Sequence, residues 1–353
     1  MKVLIAAFHP RTMTPYSKLY EDTIKGNGND YDIVFWDRFS NAPLERSGNE
    51  FIIHRICTLG GKKYKKIPAF FYYRNTLKEI IRRGRYDRII ILNTMPGFLL
   101  SDVLLNQYKG HFVLDIRDYT YEKYSFYKNR VMKLINNSAF STISSAGFLR
   151  FLEDSPKLMI NHNISNLSGD FQAEPLKGKE KITIGFIGVI RYEDINRGLI
   201  NQLKNDLKFH FKYIGRVYPE CHLKEYCEKE HFSNVSFDGA FNNDQKPDIY
   251  KNIDIINAVY GNNKIEVTSA LPNKLYDSII FKKPMIVSTG TYLAEVVEKY
   301  HLGFALDKDD DLRVRLQSFI QSYDPDQFND IAERLIAKVL NDQGKIKSAL
   351  ARF

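Results

Sequence analysis

Residue types capable of chemistry concentrate in the stretch Ser269 to Thr289, SALPNKLYDSIIFKKPMIVST. Pro272 fixes its own φ and lacks a donor, so it favours a turn that opens a helix. Leu275, Ser278 and Ile279 recur at helical spacing, Pro284 stops the pattern, and MIVS reads as a short buried strand. Lys274 then falls in the first turn, where the helix dipole prefers an anion. A bound phosphate would satisfy both the ammonium and the free backbone N–H groups. Asp277, three residues on, shares that helix face and could accept hydrogen bonds from vicinal hydroxyls such as those of a ribose. The same two residues would also serve as an ordinary surface ion pair worth a few tenths of a kcal/mol.

A second set lies in GFIGVIRYEDINRG, where Gly188 ends an apolar run and Arg191 and Arg197 stand near the start of the next helix. Glycine allows close backbone approach, and two cations beside a helix N-terminus would cradle a diphosphate. An exposed arginine pair without a ligand is the other reading. In the first half, His9 and Arg11 follow the run KVLIAAF, at the end of a strand where open α/β sheets bind ligands. Cys221, His222, Cys227 and His231 lie close together but match no standard zinc spacing, because adjacent side chains diverge on a helix. An amphipathic helix and no metal are expected there.

The elements that must position these residues alternate strand and helix. Lys2–Phe8, Tyr31–Trp36, RIIILN, HFVLDIRDY, SAFSTISS and KLMINHN are the strands of a first doubly wound parallel sheet. NISNLSGDFQAEPLKGKEK interrupts the periodicity. The pattern restarts in KITIGFIGVI, FHFKYIGR, NVSFDG, IDIINAVY and KPMIVST. This gives a first domain over 1–165, a linker over 166–180, a second domain over 181–325 and terminal helices over 326–353 that would pack back on the first domain. A length of 353 residues suits two cores. Three scattered cysteines, no signal-peptide pattern and no apolar run long enough to cross a bilayer point to the cytoplasm.

Charge is unevenly spread. Residues 1–165 hold 25 of the 51 basic residues but only 15 of the 42 acidic ones, so the formal excess of +9 belongs to the first half. That field suits an anionic partner. The stretch Gly60 to Arg74, GGKKYKKIPAFFYYR, sets lysines beside aromatics, as the headgroup layer of an anionic membrane would require. A solvated loop leading into an aromatic-packed helix is the plainer alternative. No nucleic-acid motif accompanies the basic residues.

Residues 181–305 resemble the donor-binding domain of GT-B glycosyltransferases, particularly the large retaining group counted as family 4. The resemblance rests on Gly188, Arg191 and Arg197–Gly198, on YIGR at Gly215, on NVSFDG, on YKNIDI, and on PNKLYD followed by KKPMIVS. It implies a GT-B fold of two Rossmann-like domains facing a cleft, and transfer of a hexose from a UDP- or GDP-sugar to a glycan or lipid-diphosphate-linked glycan, without cofactor or metal. Such a step suits bacterial surface polysaccharide assembly. Arg191 and Lys274 would hold the diphosphate, with Gly188, Arg197, Gly215 and Asn273 nearby. Asp277 would bind the ribose, and Ala240 with Phe241 would line the base. The family usually has two glutamates eight positions apart, whereas here those positions are Ser269 and Asp277. The leaving diphosphate develops charge that cations stabilise. An acceptor hydroxyl needs a base, for which Asp118 in DIRDY is the candidate and His9 the second. A nucleotide-sugar epimerase of the same fold, or a nucleotide-sugar-binding subunit without turnover, are the alternative functions.

Overall fold

The run KVLIA forms β1 (Lys2–Ala6), and Val3 to Ala6 are all buried, as expected for a parallel strand covered on both faces. The computed structural model describes residues 1–57, 63–164 and 169–353. The chain divides into two units, Met1–His162 with Asn341–Phe353, and Asn163–Leu340.

In the first unit β1 is followed by α1 (Ser17–Gly26), β2 (Asp30–Asp37), β3 (Glu45–Ser47), β4 (Glu50–His54) and α2 (Ile67–Gly84). Then come β5 (Arg88–Leu92), α3 (Thr94–Leu99), α4 (Ser101–Gln107), β6 (Phe112–Ile116), α5 (Ser125–Asn137), β7 (Phe140–Ile143) and β8 (Leu158–Ile160). The sheet order is β3-β4-β2-β1-β5-β6-β7-β8, parallel except for the β3–β4 hairpin. That hairpin escapes the sequence reading because β3 is a three-residue, fully exposed ERS with no apolar signal. Its polar character suits an edge strand.

The second unit contains β9 (Ile182–Ile187), α6 (Glu193–Gln202), β10 (Phe209–Ile214), α7 (Leu223–Lys229), β11 (Val235–Asp238), α8 (Lys246–Lys251) and β12 (Ile255–Ala258). It continues with α9 (Ile265–Ser269), α10 (Asn273–Phe281), β13 (Met285–Ser288), α11 (Tyr292–Lys299), β14 (Gly303–Leu306), α12 (Leu312–Ser322) and α13 (Pro325–Arg352). The order β11-β10-β9-β12-β13-β14, all parallel, reverses direction between β9 and β12. Alternation along the strands sends Ile255 and Ile286 into one core cluster and Ile256, Met285 and Val287 into another, so helices cover both faces. The four-residue β14 is a strand that the sequence reading leaves out.

Part of the expected linker is built into the second unit. Leu176 is buried, Phe171 packs edge-on against Phe281, and the Ala173 amide donates to Asn329 Oδ1 at 2.8 Å. Residues 166–168 of that linker, and 60–62 of the basic–aromatic stretch, lie outside the described residues. The terminal segment forms a single helix after α12, and Ile346 and Leu350 near its end join the core of the first unit. Among the described residues, no helix is long and apolar enough to cross a membrane.

Candidate functional site

The loop from β9 to α6 carries two backbone signatures. Gly188 has φ +128°, and a Cβ there would meet nothing within 4 Å, so its backbone faces open space. Tyr192 has φ +63°, a left-handed conformation that costs a non-glycine residue about 1–3 kcal/mol and is typical of functional loops. Gly215, at the end of β10, is required for a different reason. A Cβ on it would lie 2.0 Å from the Gly188 carbonyl oxygen. Gly215 therefore lets the two strand ends close together, leaving Gly188 as the position where a ligand could approach the backbone.

Arg191 is exposed beside this loop, its guanidinium 4.9 Å from the Tyr192 ring. Its charge acts on Tyr192, Tyr260 and Lys274, which puts it at the junction of β9 and β12. Arg197 departs from expectation. It belongs to the interior of α6, ion-pairs with Glu193 one turn back, and lies 4.1 Å over Tyr226 of α7. Six residues of separation, with the helix starting at Glu193, send the two arginines to different surroundings.

Lys274 and Asp277 both have partners within the fold. Every residue of α10 from Lys274 to Phe281 is buried, because this crossover helix lies wholly within the core between β12 and β13. Lys274 Nζ donates to the Asn257 carbonyl at 2.9 Å and sits 3.2 Å from the Phe186 ring centroid. Burial pushes its pKa well below the usual lysine range; Asp277 opposes that shift and Arg191 adds to it. The ammonium thus has an internal partner. Asp277 accepts from Lys246 Nζ at 2.8 and 2.9 Å and from the Tyr250 hydroxyl at 2.9 Å, so both its oxygens are engaged by α8. Oδ1 accepts one of these bonds and Oδ2 the other two. Lys246 stands 31 residues away in sequence, and no local spacing signals this pair.

The remaining expected positions lie at the same sheet edge. Asn273 is exposed at the start of α10, and Ala240 is exposed after β11. Phe241 is half-buried against the cluster containing Tyr250 and Ile253. Asn242 and Gln245 then form a capping box that leads into α8. At Ser269 the hydroxyl donates back to the Ile265 carbonyl at 2.5 Å, and the side chain is fully buried.

Sequence reasoning missed two exposed cations here, Arg216 directly after Gly215 and Lys264 before α9. The signal was present in YIGR, where the arginine follows the strand-ending glycine. Ile190 donates to the Arg216 carbonyl at 2.8 Å, which holds Arg216 in the strand end beside the Gly188 loop. On the other side of α6, a cavity of about 490 Å³ is bounded by Asp194, Gly198, Gly261, Asn262, Thr289 and Asp307. Ser288 Oγ accepts from the Tyr260 and Gly261 amides at 3.1 and 2.8 Å, which ties the β12 and β13 loops around it. The Cys221–Cys227 region packs into the apolar core, where burial raises the Cys227 thiol to about 11. No cluster of three or more metal-binding side chains occurs among the described residues.

In the first unit His9, Asn93 and Asp118 follow β1, β5 and β6, three neighbouring strands. Burial, and secondarily the Arg38 guanidinium, lower His9 to about 4, and its buried Nδ1 has no hydrogen-bond partner. The imidazole is therefore neutral at physiological pH and a weak base. Asp118 is exposed and acts electrostatically on Tyr16. Arg117 instead pairs with Asp115, Nε to Oδ2 at 2.8 Å, in a fully buried ion pair. Asn93 has φ +80° and accepts from Tyr16 at 2.9 Å. Glu122, which the sequence reading passed over, is buried with a raised pKa and accepts from Thr94 Oγ1 at 3.1 Å, so it fixes the loop that begins at Asp118.

No family model matches this sequence, and no curated protein sequence does. Solved structures match over essentially the whole chain. Sucrose-phosphate synthase from Thermosynechococcus elongatus has a TM-score of 0.69 at 12% identity, over 99% of this chain and 96% of that one. The lipopolysaccharide outer core galactosyltransferase WaaB in its apo form has 0.66 at 13%, over 98% and 100%. Anabaena HepE in complex with UDP has 0.64 at 13%, over the full length of both. Two sheets of eight and six strands, parallel except for β3, and matched end to end by these structures, identify the fold of this chain as GT-B.

Proposed function

We propose that this protein transfers a hexose from a UDP- or GDP-sugar to a glycan or lipid-diphosphate-linked glycan acceptor, in the assembly of a bacterial surface polysaccharide. The fold is one that similar structures use with UDP, UDP-glucose and galactosyl transfer. The observation that carries the reading is the open backbone at Gly188, flanked by the exposed cations Arg191 and Arg216. A diphosphate beside Gly188 would meet a loop with no Cβ in its way and guanidinium groups on its flank, while the Gly188 amide itself donates to the Ile214 carbonyl at 2.9 Å. In the reaction, the bond from the anomeric carbon to the diphosphate oxygen breaks and a bond to the acceptor oxygen forms. The acceptor proton passes to a base, for which Asp118 is the candidate, while the cations stabilise the departing diphosphate.

Calorimetric titration with UDP, GDP and their hexose conjugates tests the reading. Binding of one nucleotide class, weakened in Arg191→Ala, is expected; absence of binding to all of them overturns it. A second reading, a nucleotide-sugar-binding subunit without turnover, is favoured by Ser269 bonding back to its own helix and by Asp277 engaged by Lys246 and Tyr250. Mass analysis of donor incubated with glycan acceptors separates transfer, an isomerised sugar, and unchanged donor.

A further inference from the structure

One face of the first unit combines exposed apolar side chains with unbalanced positive charge. Phe39 is 62% exposed, Phe71 57%, Ile56 50% and Ile67 49%, and Leu44 and Tyr72 are exposed beside them. They come from three segments that lie side by side. The Ile56 amide donates to Asn41 Oδ1 at 3.0 Å, which seats the loop after β2 against the end of β4. Arg55 lies 5.2 Å over Tyr72, which joins that strand end to α2. Ile67 and Phe71 are four apart on α2 and share a face. The opposite flank of α2 is fixed in the core, with Tyr73 stacked on Trp36 at 4.7 Å. The exposed rings are therefore held outward by a rigid helix.

The charge of this region is one-sided. Residues 38–74 contain eight Lys and Arg against two acidic residues. Both acids are engaged, Glu45 by His54 and Glu50 by Arg11. Arg46, Arg55 and Lys65 are exposed around the apolar side chains. A groove of about 730 Å³ lies between α2 and the β3–β4 hairpin, with Leu44, Phe51 and Tyr72 on its walls; its charged lining is mixed, Arg46 and Arg83 standing with Asp32 and Glu79, the last paired with Arg83.

We infer that this face docks on an anionic lipid bilayer, with Ile67, Phe71, Ile56 and Phe39 entering the interfacial layer and Arg46, Arg55 and Lys65 meeting lipid phosphates. Aromatic and aliphatic side chains ringed by long cationic ones match the chemical gradient of a headgroup layer, with apolar bodies inward and charged tips at the phosphates. An acidic protein partner would satisfy the cations equally, but the four most exposed apolar groups, spread over a loop, a strand end and a helix, suit a laterally continuous apolar medium better.

The inference is read without nucleotide or acceptor, so its failure leaves the proposed transfer reaction untouched. Full-length protein is sedimented with phosphatidylcholine vesicles, with and without phosphatidylglycerol, at low and near-physiological salt. Pelleting with the anionic vesicles, weakened by salt, is expected. Arg55→Gln with Lys65→Gln should weaken partitioning about fivefold per charge removed. Ile67→Ser with Phe71→Ser should abolish it while leaving the melting temperature within a few degrees, since both side chains are solvent-exposed. No pelleting with anionic vesicles at low salt overturns the inference, as does equal pelleting of both double variants. A dimer that the Ile67/Phe71 variant converts to monomer, without vesicle binding, overturns it in favour of a second copy of this chain.

Discussion

At the carboxyl edge of the first sheet, the buried Arg117 is matched directly by the buried Asp115, and its guanidinium stays charged. At the equivalent edge of the second sheet, buried Lys274 has a carbonyl and an aromatic ring as its partners, and desolvation lowers its pKa. The nearby carboxylate, Asp277, is committed to Lys246 instead. Both edges are thus furnished with internal charge, but only in the first are the paired opposite charges close in sequence, two positions apart against 31 for Lys246 and Asp277. In the second, exposed cations such as Arg191, Arg216 and Lys264 stand in loops rather than in α10. Charged residues that stand out in a linear motif can be the ones the fold consumes, while those that face solvent follow strand-ending glycines.

Substitutions can break this contrast. The largest effect is expected at Asp118 in the first unit: Asp118→Asn should lower kcat by about 10²–10⁴-fold if it takes the acceptor proton, with donor affinity unchanged. Steady-state kinetics with a saturating donor checks this. Asp277→Ala should cost about 3–5 kcal/mol of stability, because Lys246 is left buried and unpaired. Thermal or denaturant unfolding reads the loss, and an unchanged melt would mean that the pair is not buried. Arg191→Ala should weaken nucleotide binding by about 1.5–3 kcal/mol with little change in stability. Lys274→Ala should do the reverse, and calorimetry beside unfolding of both variants sharpens the distinction between surface and internal cations.

The smallest effect concerns pH. The folded value of His9 lies below the ordinary one, so the unfolded chain binds more protons between roughly pH 6.5 and 4. Stability from this group is complete above that window and is lost as pH falls through it. His9→Gln should flatten that part of the stability profile, measured as melting temperature against pH.

Much of the fold is legible in the sequence because parallel strands are uninterrupted apolar runs. KVLIA, RIIIL and MIVS each announce a buried strand, and Pro272 and Pro284 bracket α10 closely. The hairpin of β3 and β4 is not legible, since an exposed ERS carries no burial pattern. The candidate site is legible as a region and less so as residues. Helical spacing shows that Lys274 and Asp277 lie within one turn, but not that α10 is enclosed on every side. That depends on Lys246, Tyr250 and Phe186, which come from α8 and β9. Arg197 illustrates the same limit, because its direction is set by Glu193 and Tyr226 rather than by its distance from Gly188.

The first core borrows Ile346 and Leu350 from the far end of the chain, where they pack with Val3, Ile33 and Val113. That half of the molecule is consequently discontinuous and cannot be isolated by cutting once after His162. A recombinant fragment of residues 1–162 would expose an oily stripe and aggregate. During synthesis the core of the first sheet cannot be sealed until residues 341–353 have left the ribosome.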